Sequence, residues 1–180
     1  MLLPVGPGGP VDRPDRALIV GPPAATGSGP DVVLVAAGEP HADAPSLLVL
    51  DDPADAAGAP CLLVIAPEDA ADAMQAADAA ADPSTVVLDL GLDRSLDAAD
   101  ASVRFDASAE LAAAGHPVAV AVDTPLGSPV AVVTAAVAAG IRLLRVGAGT
   151  DVREVRRAAD VTEALLLERR HAAGEEVVLR

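Results

Sequence analysis

The chain contains no lysine, no tryptophan and no tyrosine, one phenylalanine and one cysteine. Each absence removes a class of function. Without lysine there is no Schiff base, no lysine general base and no lysine to grip a phosphate; all 12 basic residues are arginines. One aromatic side chain in 180 residues leaves nothing on which bases or sugars can stack. A lone cysteine builds neither a disulfide framework nor a thiolate metal site, and Cys61 sits in the run "CLLVI", the setting of a buried apolar thiol. His41, His116 and His171 lie far apart, with neither HxH nor HxxxH spacing, so no metal centre is expected. Positive charge is also scarce. The net charge of −15 argues against nucleic acid and anionic membrane as partners. No apolar run reaches about 18 residues without a charge or a Pro/Gly break, so no membrane span is expected. The opening "MLLPVGPGGPVDRPDR" lacks the cationic start and long apolar core of a secretion signal. The expected location is the cytoplasm, and no cofactor is expected.

What the chain does have is small apolar residues: 52% of it is hydrophobic, with a mean hydropathy of +0.41, mostly from alanine and valine. Its length suits one domain with a sizeable core. Residues 1–16 are rich in Pro and Gly and read as a flexible arm, 17–174 as one domain, and 175–180 as a tail. Short apolar runs recur at 17–20, 31–36, 46–50, 61–65, 85–90, 118–122 and 141–146. They mostly lack in/out alternation, the mark of strands buried on both faces of a parallel sheet. Helices are predicted over 68–82, 101–115, 128–140 and 151–174. The third has Ser128 to cap it, Pro129 in its first turn and Gly140 to stop it. The fourth starts with a capping-box spacing, Asp151 to Glu154. From residue 85 to 174 the order is β-α-β-α-β-α. The first half packs four strands at short spacing, with little room for the dozen-residue crossovers that parallel strands normally use. An unpaired edge there would invite association.

Taken in order, these segments resemble the dihydropteroate synthases, TIM-barrel enzymes of folate synthesis that join a pterin diphosphate to p-aminobenzoate. "LIVGPPAATGSGPDVVLVAAGEP" is similar to the family's first two strands, and "SLLVLDDPADAAGAPCLLVIAP" to its fourth and fifth. "VVLDLGLDRS" resembles the sixth-strand motif VLDPGIGFGKT. "LAAAGHPVAVAVDTPLGSP" resembles the seventh, LxxLGxPVLVGVSRKSFLG. "VVTAAVAAGIRLLRVGAGTDVREVRRAADVTEAL" resembles the family's closing segment. The resemblance implies an α/β fold: a truncated or incomplete (β/α)8 TIM-like barrel of about seven parallel strands, with the first helix and the third strand missing.

It also implies a degenerate site. The family's first-strand Asn falls on Ala24 and its Asp on about Ser28. The fourth-strand Asn falls on Leu50, although the following Asp is kept as Asp51, and the fifth-strand His falls on Ile65. The SRK triplet becomes Asp123-Thr124-Pro125, and the His-Asp after the last strand becomes Gly147-Ala148. Asp89 matches the Asp that in the family hydrogen-bonds the pterin ring, and Arg145 matches the Arg on the diphosphate side. Expelling diphosphate needs concentrated positive charge. The resemblance therefore implies no catalytic residue here, and at most ligand binding by Asp89, Arg145 and Asp51. Each residue has a plainer reading too. Asp89 is then a strand-end acid accepting backbone N–H groups, and Arg145 a partner for a nearby acid such as Asp151. "GAGTD" at 147–151 is either a phosphate cradle at a helix N-terminus or an ordinary turn.

The family's dimer surface comes from C-terminal helices, the part best kept here. The leading expectation is an inactive subunit that pairs, through those helices, with an active dihydropteroate synthase-like paralogue. Two alternatives stay open. One is a homodimeric binder of a pterin-like or anionic ligand. The other is an enzyme of altered chemistry using the strand-end carboxylates of Asp51, Asp89 and Asp123.

Overall fold

Short runs of Val, Leu and Ile form strands because branched side chains fit a pleated surface covered on both sides. The computed structural model describes residues 3–4, 10–11, 17–22, 30–36, 46–50, 61–65 and 86–173. Leu3–Pro4 (β1) and Pro10–Val11 (β2) form a separate antiparallel ladder of two rungs. The seven apolar runs become β3 (Leu18–Gly21), β4 (Val32–Ala36), β5 (Ser46–Leu50), β6 (Cys61–Val64), β7 (Val86–Asp89), β8 (Val118–Ala121) and β9 (Leu143–Arg145). These strands pair in chain order, all parallel, and β9 pairs with β3 so that the sheet closes. The fold is parallel α/β with the order of a TIM-like barrel. Each of these strands has two neighbours, so none of them presents an unpaired edge.

Three helices are described: α1 (Ala98–Ala113), α2 (Pro129–Ala138) and α3 (Val152–Ala172). The helix predicted over 68–82 lies outside the described residues. Helix α1 begins earlier than its apolar pattern suggests. Asp97 caps it, accepting from Asp100 N at 2.8 Å, which satisfies a backbone donor that the first turn leaves unpaired. Ser128 and Asp151 cap α2 and α3 as the sequence predicts.

Two apolar layers result from the period of two along each strand. Leu18, Val20, Val32, Leu47, Leu62, Val87, Ala119 and Leu143 fill the barrel interior. Ile19, Leu63, Leu88, Val120 and Leu144 face outward and pack with helix residues such as Leu111, Val133 and Val155. Cys61 belongs to this outer layer, and burial pushes its thiol pKa up.

The closure between β9 and β3 is fastened from outside by α3. Glu163 Oε1 accepts from Ala17 N at 2.5 Å, and Arg156 Nη1 donates to Ala17 O at 2.7 Å. Arg156 also pairs with Asp31, whose Oδ2 accepts from Ile19 N at 2.8 Å. Gly21 sits where a side chain would not fit: a Cβ there would lie 2.5 Å from Val146 Cγ2 and 3.1 Å from Val146 O.

Candidate functional site

Parallel strands bring their C-terminal ends to one face, the mouth of the barrel. Val87, Ala119 and Leu143 point into the interior. Two residues further on, Asp89, Ala121 and Arg145 share that side and stand at the mouth. β8 separates Asp89 from Arg145 in the sheet. The β8 residues registered with them, Ala119 with Asp89 and Ala121 with Arg145, carry only methyl groups, which leaves room for the two longer side chains to meet.

They do meet. Arg145 Nε donates to Asp89 Oδ2 at 2.6 Å, and Arg145 Nη2 donates to Leu92 O at 3.0 Å. Asp89 Oδ1 accepts from Gly91 N at 2.9 Å. The Asp89 side chain is fully buried, whereas Arg145 keeps 27% of its surface exposed. Burial pushes the Asp89 pKa above the usual carboxylate range, against the opposing pull of the Arg145 charge and the Gly91 N–H. Of the two readings of Asp89, the strand-end acid that accepts a backbone N–H describes its geometry. Arg145 does have an acidic partner, but it is Asp89 and not Asp151.

The turn after β7 is held from below. Gly91 has φ +65°, and Arg104 Nη1 from α1 donates to Leu90 O at 2.8 Å and Gly91 O at 3.3 Å. Ser95 Oγ and N both donate to Asp93 Oδ1 at 2.6 Å, which holds that carboxyl below its usual range. Arg94, after β7, pairs with Asp123, just past the end of the neighbouring β8. Sequence reasoning missed this pair, and it missed the Arg156–Asp31 pair; neither has a local spacing signal, since 29 and 125 positions separate the partners.

The segment 147–151 is an internally bonded turn. Gly147 N donates to Thr150 Oγ1 at 3.2 Å, while Arg153 N and Glu154 N donate to Asp151 Oδ1 at 2.9 and 3.4 Å. The donors a phosphate would need at the start of α3 are thus largely taken. Asp51 lies outside the described residues, so the expected trio is brought together only as the pair Asp89–Arg145. Among the described residues, no cluster of three or more His, Cys, Asp or Glu side chains is placed to hold a metal ion. No described helix is long and apolar enough to cross a membrane.

No family model matches the chain, and no curated protein sequence matches it. Solved structures do resemble it. The dihydropteroate synthase of Thermus thermophilus, in complex with 6HMPPP, superposes with TM-score 0.67 at 20% identity, covering 92% of this chain and 99% of that one. The dihydropteroate synthase of Yersinia pestis, with a pterine-sulfa conjugate, gives TM-score 0.66 at 14% identity, covering 93% and 100%. A Mycobacterium tuberculosis protein gives TM-score 0.58 at 20% identity, covering 84% and 93%. At these identities the likeness is one of fold: the chain is built like the dihydropteroate synthases.

Proposed function

We propose that this chain is a shortened, catalytically inactive dihydropteroate synthase-like protein, a non-catalytic subunit that pairs through its C-terminal helices with an active dihydropteroate synthase-like chain in folate biosynthesis. The observation that carries the reading is the engagement of Asp89 and Arg145 with each other. Releasing diphosphate needs positive charge free to meet it. Here Arg145 is held by Asp89 and Leu92 O, Arg94 by Asp123, and Arg104 by two backbone carbonyls. Asp123, near the place of the family's lysine, brings no positive charge of its own and takes up that of Arg94.

The pairing half of the proposal draws on α3, which shows Val161 and Leu165, one turn apart on the same face, to solvent at 59% and 57% exposure. Such side chains on one helix are what a partner helix covers. The test is to purify the chain with and without an active dihydropteroate synthase-like subunit from the same cell. Co-elution at 1:1, with a change in that subunit's activity, is the expected result. Separate elution with unchanged activity overturns the pairing. A pterin-dependent rise in melting temperature that disappears in Asp89→Ala would replace the proposal with the ligand-binder reading.

A further inference from the structure

We draw no further inference here: the strongest candidate, the open groove of about 490 Å³ between α2 and α3, shares Leu165 with the face already assigned to pairing, and nothing among the described residues shows what else would cover it.

Discussion

Arg145→Met keeps most of the arginine's length and removes its charge. The Asp89 carboxylate is then fully buried, with only the Gly91 N–H to meet it. Leaving one member of a buried pair uncompensated costs about 3–5 kcal/mol. The carboxylate has an escape, because it can take up a proton. At pH 7 that uptake costs about 4 kcal/mol, 1.36 kcal/mol for each of the roughly three pH units above an unfolded value near 3.9. The native pair already bears part of the burial penalty, as the upward shift of the Asp89 pKa shows. The net loss at pH 7 is therefore about 2–4 kcal/mol. The sign with pH follows from the same shift. A carboxyl whose folded pKa is raised contributes stability that is full below the unfolded value and lost as pH rises through the folded one. Removing Arg145 moves that loss to higher pH, so the deficit at pH 5 shrinks to below about 1.5 kcal/mol. Thermal unfolding followed by circular dichroism reads this as a drop of about 4–16 °C at pH 7 and less than about 6 °C at pH 5, at roughly 2–4 °C per kcal/mol. Asp89→Asn gives the asymmetric counterpart. Arg145 is partly exposed and keeps its bond to Leu92 O, so water replaces the lost partner and the change stays within about 1 kcal/mol. A melting temperature for Arg145→Met within about 1 °C of the parent at both pH values would refute the reasoning. A deficit that does not shrink between pH 7 and pH 5 would refute it too, by pointing to lost packing instead of charge.

Two further changes test the frame around the site. Gly21→Ala forces a methyl group against Val146, including its backbone oxygen, and should lower stability by about 1–3 kcal/mol in urea unfolding; an unchanged midpoint would mean that β3 and β9 are not packed this closely. Arg156→Lys keeps the charge but cannot serve Ala17 O and Asp31 together as the forked guanidinium does. It should lose about 1–2 kcal/mol in the same assay and show faster amide exchange at Ile19, whereas full retention of both would remove the clasp from the account.

The strands were legible because burial on both faces leaves an unbroken apolar run. "SLLVL" and "CLLVI" mark β5 and β6 to within one residue. Helix α2 was legible through Ser128, Pro129 and Gly140, each a local signal. The sequence pattern places the start of α1 three residues late, because the alanines around Ala98 carry no apolar periodicity that would mark Asp97 as its cap. The site was legible only in part. That Asp89 and Arg145 both end strands follows from their runs. That they bind each other does not, because the contact joins β7 to β9 across β8 and depends on closure and register. The same reason hid Arg94–Asp123 and Arg156–Asp31. The short first-half connections suggested a cut-down barrel and left its closure open. What they could not convey is that β4 finds β5 and that β9 returns to β3, a property of the whole ring.

The central proposal is that the charges at the mouth of this barrel engage one another and that the chain does not catalyse the reaction of the dihydropteroate synthases it resembles in fold. The direct measurement is turnover: purified chain, Mg²⁺, a pterin diphosphate and p-aminobenzoate, with dihydropteroate followed by chromatography. The account predicts no product above the enzyme-free control over hours, at enzyme concentrations of tens of micromolar. Sustained multiple turnovers, abolished by Arg145→Met, would contradict it, because they would mean that the arginine leaves Asp89 to serve the substrate.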